Sequence, residues 1–114
     1  MTVQIEYVQD RGIYGNKSWT GYAPSLSSPF AVFKDEKGWA IGHRKSGLSV
    51  CSLIPKGTAR TRKALLALVV QMEADEPEAM AAMNDVEGFP IKGDTLRAAR
   101  QRLIDWRRKL EERG

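Results

Sequence analysis

His43 and Cys51 are the one histidine and the one cysteine of a 114-residue chain. A Cys–His or Ser–His pair makes a nucleophile only when the imidazole takes the thiol or hydroxyl proton and a third group orients the ring. The neighbours of His43, Arg44 and Lys45 among small residues, supply no orienting carboxylate. An enzyme working through His43 is therefore the third of three readings, and the chain is read first as non-enzymatic. Cys51, flanked by Val50 and close to Leu53, reads as an inert core or half-core thiol. One cysteine makes no intrachain disulfide and no thiolate metal cage, and it suits a reducing compartment. One histidine with scattered acids forms no recognisable metal set. Gly38, Gly42 and Gly47 lie in or beside strand turns, not at the strand-to-helix junction of a phosphate loop. The acids Glu73, Asp75, Glu76 and Glu78 read as first-turn charge that a helix dipole favours. No cofactor and no metal are expected.

The basic residues carry more of the chemistry. Net charge is +4, distributed in blocks. Residues 34–63 hold eight Lys/Arg against two acids, residues 71–93 hold six acids against Lys92, and residues 94–114 hold seven basic against four acidic residues. A uniformly basic nucleic-acid arm would lack the acidic block. Lys56, Arg60, Arg62 and Lys63 cluster where a helix is expected to start, and there positive charge opposes the helix dipole. Stability accounts for them poorly, and a phosphate-bearing or acidic protein partner accounts for them better. Arg44 and Lys45 extend this patch if their turn and the helix start share one end of the sheet. A second candidate surface is C-terminal: Arg97, Arg100, Arg107 and Arg108 beside Trp106, since Trp and Arg are favoured at protein interfaces.

The elements that must position these groups read as α+β. Val3, Ile5 and Tyr7 alternate with polar residues, as in a half-buried strand. Residues 9–29, rich in Gly, Pro and Ser, read as a long loop whose Tyr14, Trp19 and Tyr22 either lid the core or bind. Phe30–Lys34, Trp39–His43 and Leu48–Ile54 read as three strands of an antiparallel meander joined by turns at 35–38 and 44–47. A helix capped by Thr58 or Thr61 follows, with Leu65, Leu68, Val69 and Met72 on one face and Leu66 and Val70 widening it. A short helix from Pro77 to Val86, with Met80 and Met83 inward, closes at Gly88 and Pro90. The last helix starts at the N-cap Asp94 and runs to about Arg113. Leu96, Ala99, Leu103, Trp106 and Leu110 form a three–four seam that packs on the domain or pairs with its copy in a homodimer. The expectation is an antiparallel sheet of three or four strands on a buried helix, then a short helix and a long amphipathic one, in a single domain over 1–114.

Three strands, basic turns and a helix over Phe30–Met72 resemble the arm-type DNA-binding domains of mobile-element integrases and the plant AP2 domain. Those lay the outer sheet face in the major groove. Here that face would carry Ala31, Ala40, Gly42, Ser49 and Cys51, which lack the long donors that base reading uses. A second resemblance rests on Trp39-Ala40-Ile41-Gly42-His43-Arg44-Lys45-Ser46-Gly47-Leu48. This hairpin is similar to a Trp-x-Ile-x-His-x-x-(Ser/Thr)-Gly pattern of small phage and plasmid accessory proteins. It implies a habitat: a mobile-element factor that binds and modulates a host protein or ribonucleoprotein, as anti-CRISPR inhibitors do.

No apolar run reaches the ~18–20 residues of a membrane span, and the N-terminal Met-Thr-Val-Gln-Ile-Glu-Tyr has no signal-peptide pattern. A cytoplasmic protein without membrane contact is expected. The favoured function is binding of an acidic partner, and the alternative is direct DNA or RNA binding through the basic patch at 44–63.

Overall fold

The computed structural model describes residues 2–84 and 93–113, with side chains of the second stretch from residue 97. Val86, Gly88, Pro90 and the side chains of Asp94 and Leu96 lie outside the described residues. The alternation at the N-terminus forms strand β1 (Val3–Asp10). Its partner β2 (Asn16–Ala23) pairs with it along the whole length, from Val3↔Ala23 to Asp10↔Asn16. Residues 9–29 are therefore not one long loop. The inward side of β2 carries Trp19, Gly21 and Ala23, and two of these three are too small to register as an apolar alternation. The tip is a 3-10 turn, Gly12–Tyr14, bounded by Gly12 and Gly15 at φ 64° and 79°. The Asp10 carboxylate accepts from the Gly12 amide at 2.8 Å.

Strands β3 (Phe30–Asp35) and β4 (Gly38–His43) form the second hairpin, in register from Phe30↔His43 to Asp35↔Gly38. The Asp35 carboxylate accepts from the amides of Lys37 and Gly38, and Gly38 takes φ 126°. Sheet order is β1-β2-β3-β4, all antiparallel, followed by helices: an α+β fold. Leu48–Ile54 is not a strand. It makes one bridge, Ser49 to Gly42, and then winds into a 3-10 turn at Cys51–Leu53. The Ser49 hydroxyl accepts from the Cys51 amide at 3.2 Å, a local bond that competes with ladder pairing.

The sheet is curled. β2 meets β3 at only Gly21↔Phe33 and Tyr22↔Val32, so the first hairpin leaves the second and folds across its face away from the helices. There Tyr7 stacks on Phe33 with ring centroids 4.5 Å apart, and Trp19 adds a third ring. A Cβ at Gly42 would overlap the Tyr7 ring and hydroxyl. The Asp10 amide donates to the Gly47 carbonyl at 2.9 Å and closes the corner. The expected outer face of Ala31, Ala40 and Gly42 is thus covered by the chain's own hairpin. The β-β-β-α resemblance over Phe30–Met72 is corrected on two counts: that stretch holds two strands, and its face is occupied.

Helix α1 (Arg62–Asp75) is capped by Thr61, whose hydroxyl accepts from the Ala64 amide at 3.2 Å. Leu65, Val69 and Met72 are buried against Phe30, Val32 and Ile41. Val70 does not widen this face: it is 51% exposed, one position round from Val69. Helix α2 (Pro77–Asn84) buries Met80 and Met83. Helix α3 (Gly93–Arg113) lays Ala99, Leu103 and Trp106 into the same core. The Trp106 indole donates to Asp75 at 2.8 Å, and Arg102 pairs with Glu76 and Glu78 at 2.9 and 3.2 Å. The acidic block at the helix junction therefore meets basic α3 within the chain.

Two stability measurements check this packing. Gly42→Ala forces Tyr7 aside and is expected to cost about 1–3 kcal/mol in urea unfolding; an unchanged midpoint would contradict the Tyr7–Gly42 contact. Trp106→Ala should cost ~3–5 kcal/mol, as expected of an emptied core site; a near-neutral result would put Trp106 on the surface.

Candidate binding surface

Residues paired across antiparallel strands share a face of the sheet. Tyr22 is opposite Val32, Ile41 is opposite Val32 on the other side, and Trp39 is opposite Lys34. All five face the helices. α1 covers Val32 and Ile41, but its first turn stops over Tyr22. Tyr22 and Trp39 are left half-buried and Lys34 exposed. The Arg62 guanidinium lies 4.7 Å from the centre of the Tyr22 ring, and Tyr22 and Trp39 are 6.2 Å apart at 53°. Arg60 and Lys63, both exposed, flank Arg62. Among the described residues no carboxylate pairs with Lys34, Arg60, Arg62 or Lys63. The result is a basic rim around two aromatic rings at the positive end of a helix.

The structure separates this rim from Arg44 and Lys45. They follow the far end of β4, five residues from Trp39, or roughly 16 Å at strand rise. Arg44 is also engaged: its Nη1 donates to the carbonyls of Leu26 at 2.7 Å and Ser28 at 3.0 Å, closing the 24–29 loop. Lys45 is exposed there. Lys56 is exposed, with its backbone amide bonded to Glu111 of α3 at 3.1 Å. The single patch expected over 44–63 is therefore two separate regions.

The expected C-terminal surface is corrected too. Trp106 is 5% exposed and belongs to the core. Arg107 donates through Nη1 to the Ser52 carbonyl and lies 3.3 Å from Glu111, so it ties α3 to the 3-10 turn. Arg108 is 3.9 Å from Asp105, one turn away. Arg97 and Arg100 are exposed. The seam that a homodimer would use is packed within the monomer.

His43 is buried. Its Nδ1 is 2.8 Å from the Ser46 hydroxyl and its Nε2 2.8 Å from the Met83 carbonyl. A carbonyl only accepts, so Nε2 carries the proton and Nδ1 accepts from Ser46. The ring pins the end of β4 to α2 and does not reach Cys51, whose thiol faces the Ile41 carbonyl at 3.7 Å. Burial pushes the imidazole pKa below its usual value, against the Met83 bond and with help from Lys45. Beside it is a cleft of about 210 Å³ lined by Leu48, Val50, Met83 and Arg100, below the ~300 Å³ at which ligand pockets begin. Among the described residues no three His, Cys, Asp or Glu side chains group to hold a metal ion, and no helix is long and apolar enough to cross a membrane.

The three aromatics of 9–29 have three different fates. Trp19 covers Phe33, held by Lys17 at 4.5 Å and Arg11 at 5.5 Å over its ring and by its indole donating to Gln9. Arg11 in turn bonds both oxygens of Glu36 at 2.7 Å, which holds that carboxyl down to about 2. Tyr22 joins the rim. Tyr14 is 84% exposed at the hairpin tip beside Ile13 at 94%. Sequence reading missed the Tyr22–Trp39–Lys34 part of the rim. The alternation of β2 is hidden by Gly21 and Ala23 on its inward side, and without β2 Tyr22 had no partner strand.

Comparison with protein-family models, with curated proteins and with solved structures found no match for this chain.

The buried histidine predicts a pH response. The folded protein favours neutral His43, so this contribution is complete above the ordinary pKa of 6.5 and is lost as pH falls below it. Urea midpoints should fall between about pH 7.5 and about pH 5.5, and fall less in His43→Gln. Equal losses in the two proteins would contradict the buried neutral ring.

Proposed function

We propose that this chain is a non-enzymatic binding protein that engages an acidic partner, a host protein or a ribonucleoprotein, through the rim at the start of α1. One observation carries the reading: Arg60, Arg62 and Lys63 are clustered and exposed at the start of a helix, and among the described residues none of them pairs with a carboxylate. Cations left unpaired where they oppose a helix dipole are better explained by a ligand than by stability. The phage or plasmid setting rests on the Trp39–Leu48 hairpin alone. That hairpin also has a packing account: Trp39 and Ile41 face the core, His43 bonds Met83, and Gly47 takes φ 73° against Val8 and Asp10. Direct DNA or RNA binding is the second reading, favoured by the rings within the rim. An enzyme using His43 would have to break both bonds of its ring.

The test is binding of poly-glutamate and of mixed-sequence RNA at about 50 and 200 mM salt. At least one should bind at the lower salt and weaken steeply at the higher. The triple variant Arg60→Ala, Arg62→Ala, Lys63→Ala should lose that binding and keep its melting temperature. Undiminished binding by the triple variant, or no binding at low salt, would overturn the assignment.

A further inference from the structure

A polyanion needs only the cations of the rim, and the two rings between them are unexplained by charge. Tyr22 and Trp39 sit on the helix-facing side of the sheet, half-buried beside the first turn of α1. Trp39 leans one flank on the core, and Tyr22 is roofed by the planar Arg62 guanidinium at 4.7 Å. Lys34, opposite Trp39 in the β3–β4 register, is exposed beside it. Aromatic faces bordered by cations are what a base and its phosphate require together.

From this we infer that the rim binds single-stranded nucleic acid, the bases stacking on Trp39 and on the outer face of the Arg62 plane that Tyr22 supports, while Lys34, Arg60 and Lys63 meet phosphates. The inference rests on the rim as the binding surface and deepens the second reading above, direct nucleic-acid binding, by giving that partner a chemistry. A duplex keeps its base faces inside its own stack, so the rings would go unused. The sheet face that would enter a groove is filled by Tyr7 and Phe33. An acidic peptide would satisfy the cations and leave the rings unused. A strand with unstacked bases uses both.

The experiment is fluorescence anisotropy of the whole protein with a labelled oligothymidylate, an abasic oligonucleotide of equal length, a duplex and poly-glutamate, all at low salt. The oligothymidylate should bind at least about ten-fold more tightly than the abasic strand. Tyr22→Leu should bring it to the abasic level and leave abasic binding unchanged. Arg62→Lys, which keeps the charge and removes the plane, should do the same and serves if Tyr22→Leu fails to fold. Equal binding of the normal and abasic strands would overturn the stacking inference and leave the rim standing. Equal binding of the duplex or of poly-glutamate would also overturn it. No binding by any of the four probes would overturn the rim reading itself.

Discussion

Tyr7 reaches from β1 across the back of the sheet to Gly42 on β4, and its ring lies on Phe33 and over Ala31. This contact turns two hairpins into one curled sheet with apolar residues on both faces. Gly42 has to be glycine because the tyrosine occupies the space of a side chain. Burial raises the Tyr7 hydroxyl pKa far above its ordinary value, and the hydroxyl finds no hydrogen-bond partner among the described residues. An unpaired buried hydroxyl costs about 1–3 kcal/mol. The packing of the ring at 1% exposure has to outweigh that cost.

Closing the back face decides where a partner can sit. The sheet has one face under a hairpin and the other under α1, α2 and α3. What remains is the margin where a cover ends. At the first turn of α1 the cover ends over two rings and a set of cations. At the other end of β4 the margin is sealed by Arg44 on the 24–29 loop and by His43 on α2. Along α3 the guanidiniums of Arg102, Arg107 and Arg108 are answered by Glu76, Glu78, Glu111 and Asp105. The block pattern of charge thus resolves into internal contacts for Asp75, Glu76 and Glu78 of the acidic block and an unanswered rim for part of the basic one.

Much of this was legible before the structure. Phe30–Lys34, Trp39–His43 and the turn between them follow from β-rich runs around Asp-Glu-Lys-Gly. α1 follows from its apolar spacing and Thr61, and α3 from its three–four seam. What failed, failed for local reasons. β2 hides its inward face behind Gly21 and Ala23. Leu48–Ile54 has the composition of a strand, but Gly47 and Ser49 divert it into a turn. Trp106 and Arg107 look like interface residues, and only their contacts with Asp75 and Ser52 show that they hold α3 in place. Of the candidate site, the cations at 60, 62 and 63 were visible as a charge run. The rings beside them come from strands, Trp39 lying 23 and Tyr22 40 residues before Arg62, and only the sheet register joins them to it.

The rim as the contact surface is the central claim, and amide and indole chemical shifts recorded while a short single-stranded oligonucleotide is added test it most directly. The account predicts shifts concentrated at Tyr22, Lys34, the Trp39 indole and residues 60–63. Shifts centred instead on Ile13 and Tyr14, on Arg97 and Arg100, or on no residue at all would contradict it.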